Sequence, residues 1–325
     1  MGEIRPILTF ATQGGEFSYH AVAATKAAGG LTVAINEKEE FGDVVRASRS
    51  MFPGLGVIAI STVAGTVDAS AKEIVRKRPS ALPPIVGRVD VPVELALIGA
   101  QPQSIESVAR RGVRCLAQKP AAQQCAPFLR EQLPWIKLQY RGESTRAIKE
   151  VVQRSDPNYV AIGPSFAAEP LGGVIIGPRQ INPVGSITSF YVLQRDPRQQ
   201  RLPAQPDKTS KRTVISLGHP EGEGEFTKTL EIARMLGVGV ARFIPFDIGD
   251  FTKHNSGLRR GGGIFELNQD LYDEQVTEWC ARVNGLPAND GVEGAFTTKR
   301  LGGYDWYPEE SLDLQNLAAT FDTGA

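Results

Sequence analysis

Short apolar runs alternate with amphipathic stretches from the beginning of the chain. Residues 6–11 (Pro-Ile-Leu-Thr-Phe-Ala) read as a buried strand and residues 12–16 as a tight loop. Phe17 to Ala28 reads as a helix stopped by Gly29-Gly30. The pattern then predicts a strand at 31–35, a helix near 39–51, a strongly apolar strand at 56–60 and a helix from about 67 to Arg78. Pro79 to Pro84 interrupts it. A second series follows, with strands at 93–98, 114–117, 136–140 and 159–163 and helices at 103–111, 121–131 and 144–154. Ser144 is the expected cap of the last helix. Residues 164–182 lead back to a strand at 187–193, Ile-Thr-Ser-Phe-Tyr-Val-Leu. Alternating strands and helices call for an α/β domain with a largely parallel sheet. Two such series, with the 187–193 strand rejoining the first, predict two hinged lobes with a site in the cleft between them.

The pattern changes after residue 195, where Arg195-Asp196-Pro197-Arg198-Gln199-Gln200-Arg201 opens a stretch of linker composition. Beyond it come a strand at 211–217, a polar loop at 219–224, a helix at 225–236 and a strand at 238–246. A glycine-rich hairpin region holding Gly261-Gly262-Gly263, a strand at 264–267, a helix at 273–283 and a strand at 296–301 complete a βαββαβ, ferredoxin-like order. The expected boundaries are lobe one at about 1–88 and 183–195, lobe two at 89–182, a linker at 196–211, the βαββαβ unit at 212–307 and a tail at 308–325. The break in composition predicts that 1–195 folds without the rest.

Composition narrows the classes. A chain of 325 residues suits two or three domains, and 41% hydrophobic with 22% charged residues is ordinary for a soluble globular protein. The formal net charge is zero, so neither nucleic acid nor an anionic membrane surface is an expected partner. No apolar run nears the ~18–20 residues of a transmembrane helix, and Met1 to Pro6 lead straight into a strand-like run without a signal core. Cys115, Cys125 and Cys280 are odd in number and widely spaced, which fits a reduced, cytoplasmic protein. His20, His219 and His254 lie far apart, so a metal is not expected.

Ligands of α/β sheets sit beyond the carboxyl ends of strands, where the loops at 12–16 and 61–66 fall. A glycine loop feeding a helix leaves backbone N–H groups for an anion, although two glycines read more readily as a plain strand-to-helix turn. In the 187–193 strand, two-residue alternation puts Thr188 and Phe190 on one face and Ser189 on the other or at the rim.

Eight segments, taken in order, carry a family resemblance. Thr12-Gln13-Gly14-Gly15-Glu16-Phe17-Ser18-Tyr19 stands where that family has Gly-Pro-Glu-Gly-Thr-Phe-Ser-Tyr, and Ala59 to Val67 where it has Pro-Ile-Glu-Asn-Ser-x-x-Gly-x-Val. Lys119-Pro120-Ala121-Ala122 resembles His-Pro-Gln-Ala, Ser144-Thr145 resembles Ser-Thr-Ala, and Ala161-Ile162-Gly163 with Ala167-Ala168 resembles the next strand-to-helix turn. Ser186-Ile187-Thr188-Ser189-Phe190 is similar to Asn-x-Thr-Arg-Phe. Gly224-Glu225-Phe226 through Gly237-Val238 keeps the spacing of a Gly-Ala-Leu helix and strand, and Leu301-Gly302-Gly303-Tyr304 resembles Leu-Gly-Ser-Tyr. The chain thereby resembles prephenate dehydratase with its C-terminal regulatory ACT domain.

The resemblance implies a type II periplasmic-binding-protein-like catalytic domain and a ferredoxin-like ACT domain. It implies a cofactor-free lyase of aromatic amino acid biosynthesis, forming homodimers or higher oligomers through the ACT-like domain. The family removes water and carbon dioxide from prephenate to give phenylpyruvate. Thr188 and Glu16 become the implied catalytic residues. Gly14, Gly15, Ser18, Ser61, Thr62, Ser144, Thr145, Gly163, Ser189 and Phe190 become the implied contacts to a small carboxylate substrate. His219, Gly224 and Glu225 fall in the implied regulatory loop.

The departures are chemical. Prephenate carries two carboxylates and a ring hydroxyl, which ask for Arg or oriented N–H groups and for a hydrogen-bond donor. The family's Thr-Arg pair is Thr188-Ser189, and losing a charge-assisted bond of about 1.5–3 kcal/mol costs roughly ten- to a hundredfold. Glu-Asn-Ser has become Ser61-Thr62-Val63 and the opening Thr has become Glu16, so the site reads as rebuilt. Arg141 or Arg146 is either the replacement anion partner or plain surface charge. Ile244-Pro245-Phe246-Asp247 replaces Glu-Ser-Arg-Pro, so phenylalanine feedback is not expected. Two functions follow: a lyase on prephenate or a close relative, including a diverted decarboxylation without aromatisation in specialised metabolism, or a non-catalytic regulatory protein that binds a small carboxylate.

Overall fold

The structure is a computed structural model and describes residues 7–50, 52, 54–62, 65–67, 70, 74, 82–195, 210–220, 225–247, 260–269, 273–286 and 297–306. Most of the expected helix at 67–78, nearly all of the linker and the tail lie outside the described residues.

The first lobe runs β1 (Ile7–Gln13), α1 (Tyr19–Ala27), β2 (Thr32–Lys38), α2 (Phe41–Arg49), β3 (Leu55–Thr62), β4 (Gly65–Thr66) and β5 (Ile85–Pro92). The second runs β6 (Leu95–Gly99), α3 (Ile105–Arg111), β7 (Arg114–Gln118), α4 (Lys119–Gln124), α5 (Ala126–Gln132), β8 (Lys137–Arg141), α6 (Ser144–Arg154), β9 (Tyr159–Pro164) and β10 (Val174–Ile175). The strand β11 (Ile187–Gln194) then returns to the first sheet, inserting antiparallel between β3 and β5. Last come β12 (Ser210–Pro220), α7 (Glu225–Met235), β13 (Val240–Asp247), β14 (Arg260–Leu267), α8 (Glu274–Asn284) and β15 (Thr297–Trp306).

Both lobe sheets are mixed rather than largely parallel. The first has the order β5-β11-β3-β1-β2 and the second β10-β6-β9-β7-β8. Strand β5 escapes the hydrophobic pattern because Gly87, Arg88 and Asp90 break its alternation, and Arg88 and Asp90 satisfy one another as an ion pair. The crossing between lobes therefore follows Pro92 instead of lying near residue 88. The expected helix at 121–131 is two helices. Pro127 lacks an N–H and would clash with the Gln123 carbonyl, so one continuous helix cannot form.

The last unit has strand order β13-β14-β12-β15, the ferredoxin-like arrangement, with α7 and α8 packed on it through Trp279 and Ile232. The glycine triplet sits inside β14 and not in a hairpin. A side chain at Gly263 would fall within the Phe243 ring, which needs the bare backbone there.

This unit does not stand apart. Strand β15 meets β5 at Gly302 and Ile85, so the first sheet continues into the last unit. One buried cluster holds Ile58, Ile60, Ile85, Tyr191 and Leu193 of the first lobe together with Val214, Ile244, Ile264 and Leu301 of the last unit. Residues 1–195 thus share part of their core with the last unit. Among the described residues, no helix is long and apolar enough to cross a membrane.

Candidate functional site

The β3–β11 pair forms the floor of the interlobe cleft, and a bulge shapes it. Phe190 pairs with Ala59 and Ser189 with Ser61, so Ile60 is the extra residue between them. Ile60 and Ser61 consequently turn to the same face, toward the last unit, and the parity of the strand reverses. Thr62 and Thr188, which are cross-strand partners, both line the cleft with Ala59 and Phe190. Ser61 and Ser189 point the other way and accept hydrogen bonds from Arg242 of β13, at 2.6 and 2.8 Å. The expected substrate contacts at Ser61 and Ser189 are thus corrected: both hydroxyls are engaged behind the strands.

The glycine loop is likewise different from the expected anion site. Gly15 O accepts from Ser18 N at 3.0 Å, closing a turn with Glu16 at its exposed tip. Glu16, an expected catalytic residue, is not among the residues lining the cleft. Gly14 has φ +90°, and a Cβ there would stand 2.8 Å from the Glu143 side chain of the second lobe. A Cβ at Gly15 would stand 2.9 Å from a Glu37 oxygen. The loop therefore faces two carboxylates, which repel an anion; Gly14 serves the close approach of the second lobe, and Gly15 the approach of Glu37 from β2 within the first.

Glu143, and not Ser144, caps α6. Its carboxylate accepts from Thr145 N at 2.8 Å, Arg146 N at 2.7 Å and Thr145 Oγ1 at 2.6 Å. Those donors, expected to meet substrate, are already used, which corrects the role of Thr145; Ser144 lines the cleft. Gly163 is also corrected, because a Cβ there would press on Ile148 at 2.6 Å, so its bareness serves packing of α6 on β9. Arg141 is paired through Nε and Nη2 with Glu150, and Arg146 reaches Glu39 across the lobes at 3.3 Å. Neither lines the cleft. Of the regulatory residues, Gly224 lies outside the described residues, Glu225 opens α7, and His219 belongs to strand β12 and not to a loop.

Helix α1 supplies the opposite wall. Ser18 caps it by accepting from Ala21 N at 3.2 Å, and the Tyr19 hydroxyl lies 2.6 Å from both Glu94 O and Glu94 N at the crossing between lobes. Next along the same turn is His20, which the sequence reasoning passed over. Its ring packs against Phe190 and Phe41, with centroids 5.1 and 5.8 Å away, and its Nε2 has no hydrogen-bond partner. Gln124 of the second lobe, also on the cleft, has an unpartnered Oε1. The usable signal was the position of His20, two residues after the cap of the helix that follows the glycine loop.

Burial lowers the His20 pKa from 6.5 to about 3, so the imidazole is neutral. Below pH 6.5 the unfolded chain takes up a proton that the folded one refuses until about pH 3. Stability is therefore expected to fall as pH drops through that window, with a slope from His20 approaching about 1.4 kcal/mol per pH unit. Denaturant melts of wild type and His20→Phe check this. An equal slope in both proteins would contradict it.

Among the described residues lining the cleft, none is Lys or Arg, and Glu143 is the one carboxylate. Two threonine hydroxyls, a neutral imidazole and apolar walls from Phe41, Val67, Val93 and Leu95 make a pocket for a ring compound. The described residues contain no group of His, Cys, Asp and Glu able to hold a metal.

Similar proteins support this architecture. A prephenate dehydratase from Arthrobacter aurescens, in complex with L-Phe, has a TM-score of 0.65 at 16% identity, covering 91% of this chain and 89% of that one. The prephenate dehydratase of Staphylococcus aureus has a TM-score of 0.60 at 14% identity, covering 91% of this chain and 99% of that one. A quorum-quenching acylase, GqqA, has a TM-score of 0.59 at 19% identity, covering 92% and 98%. At such identities the likeness shows the fold, with two lobes of the type II periplasmic-binding-protein kind. A search of curated proteins found no match. The family model described as prephenate dehydratase matches residues 10–198, more than half of the chain, and the chain belongs to the prephenate dehydratase family.

Proposed function

We propose that the cleft houses a lyase acting on prephenate or a close relative, in which decarboxylation is favoured over loss of the ring hydroxyl. The observation that carries this is the paired Thr62 and Thr188 on a cleft floor otherwise made of Ala59 and Phe190, with no Lys or Arg among the described lining residues. A carboxylate that leaves water without meeting a cation is destabilised, and the charge spreads as carbon dioxide departs. In the family reaction the bond to the ring carboxylate breaks, its electron pair moves through the diene, and the ring C–O bond breaks to release hydroxide. That hydroxide takes a proton from solvent and leaves as water.

Thr188 donates a hydrogen bond to the ring hydroxyl, which holds the substrate for loss of carbon dioxide whether or not that oxygen departs. It is a weak acid, and His20 stays neutral above about pH 3, so no strong acid drives that second cleavage. When the hydroxyl is retained, the ring carbanion is quenched by a proton from solvent. Acyl hydrolysis, the activity named for GqqA, needs a nucleophile paired with a base. Ser18 Oγ is committed to its cap and His20 Nε2 bonds to nothing, so that pair is missing among the described residues. Purified protein given prephenate, with products resolved by mass and ultraviolet spectrum, tests the proposal. A decarboxylated product supports it, and intact prephenate contradicts it.

The last unit is expected not to respond to phenylalanine. Ile244, in the segment that replaces the family's ligand-binding residues, is buried in the core shared with the first lobe. Ligand bound to the native state raises the melting temperature by mass action. Millimolar phenylalanine should leave both melting temperature and turnover unchanged, and an upward shift would show a working pocket.

A further inference from the structure

We propose that Arg242, carried by the last unit, is a positioning residue that sets the two cleft threonines, so that the cleft is complete only with that unit docked. The turnover arm of this proposal rests on the lyase function above.

One guanidinium spans the β3–β11 pair at its bulge. Nη1 donates to Ser189 Oγ at 2.8 Å and Nη2 to Ser61 Oγ at 2.6 Å. Ser61 and Ser189 are cross-strand partners, and the next pair along is Thr62 and Thr188 on the opposite face. A planar fork that holds two hydroxyls fixes the distance and twist between their strands, which a flexible ammonium cannot do. The bulge makes this spot the least self-determined of the strand pair, because Ile60 has no partner in that ladder. Fixing the serines from behind thereby fixes where the neighbouring threonines aim.

A buried charged network stands beside Arg242. The arginine's cross-strand partner in β14 is Glu266, which is fully buried. Glu266 accepts from the Tyr191 hydroxyl at 2.7 Å and from Arg88 at 2.8 Å. Arg88 also pairs with Asp90, which lies beside Ser189 in the β5–β11 ladder. Arg88 thus links the Asp90 and Glu266 carboxylates between the first lobe and the last unit, beside Arg242 in the strand register. Buried networks of this sort specify one docking geometry more than they add stability. The arrangement stands where the family places an arginine on the strand itself: here the neighbouring strand position is Ser189, and the arginine arrives from another unit on the far face.

The test is a double-mutant cycle in the full-length protein, with kcat and KM for prephenate loss measured in wild type, Arg242→Ala, Thr188→Ala and the double variant. If Arg242 acts through Thr188, its replacement lowers kcat about tenfold with KM changed less than about twofold. In the Thr188→Ala background the same replacement then costs less than about twofold. Arg242→Lys, which keeps the charge without the fork, should fall between. An equal loss in both backgrounds, or an unchanged kcat, would overturn the proposal. Amide hydrogen exchange reads the geometry without any substrate. Arg242→Ala and Arg242→Lys should speed exchange at 59–62 and 187–190 while the second lobe is unaffected. Uniform acceleration would mean a general loss of stability and would also overturn it. If wild type leaves prephenate intact while the local exchange change is present, the lyase function fails and the positioning role stands.

Discussion

Deleting residues 196–325 is expected to leave a fragment that neither folds cooperatively nor stays soluble. The removed part covers Ile58, Ile60, Ile85, Tyr191 and Leu193. Fully burying a side chain of this size contributes about 1.5–3 kcal/mol, so losing half the burial of five costs roughly 4–7 kcal/mol. That approaches the entire ~5–15 kcal/mol that holds a typical domain together. The deletion also strips Arg88 and Tyr191 of the Glu266 carboxylate and bares the edge of β5. An exposed strand edge beside new apolar surface invites aggregation. Size-exclusion chromatography and thermal melts of 1–195 check this. A monomeric fragment melting sharply near the full-length temperature would show that the shared core contributes little.

The single-point counterpart is Thr188. Thr188→Ala is expected to lower prephenate turnover at least about tenfold, or ~1.4 kcal/mol of transition-state stabilisation, since it removes the donor on the cleft floor. Thr188→Ser keeps the hydroxyl and should keep most of the activity. Ser189→Arg is expected to gain nothing. That side chain points away from the cleft, and a second guanidinium would press against Arg242 where Ser189 now accepts its hydrogen bond. Steady-state kinetics of the three variants, with melting curves, separate these outcomes. Activity unchanged in Thr188→Ala would remove Thr188 from the chemistry.

Much of the fold could be read from local pattern. The α6 bounds at 144–154 follow from its apolar face, and the alternation of β11 puts Thr188 and Phe190 together, because regular periodicity governs both. Strand β5 could not be read this way, since its Arg88 and Asp90 make sense only opposite Glu266, 178 residues further along from Arg88. Ser61 was misplaced by a bulge, which leaves no mark in the order of apolar residues. Glu16 was misplaced because motif position says nothing about which side of a turn a residue takes. His20 stands one residue beyond the resembling segment that ends at Tyr19; its position after the helix cap hints at the cleft, and packing against Phe41 and Phe190 places it there. Arg242 lies 181 residues from Ser61, so no local signal could have joined them.

In the proposed reaction the cleft, with no Lys or Arg among its described lining residues, releases carbon dioxide from a prephenate-class substrate by way of its threonine floor. Carbon dioxide release from ring-carboxyl-labelled prephenate, at enzyme concentrations comparable to substrate, tests it most directly and counts turnover whether or not the ring aromatises. Label is expected to be released in proportion to wild-type enzyme and at least about tenfold more slowly with Thr188→Ala. Label retained in intact prephenate, or released equally by both proteins, would contradict it.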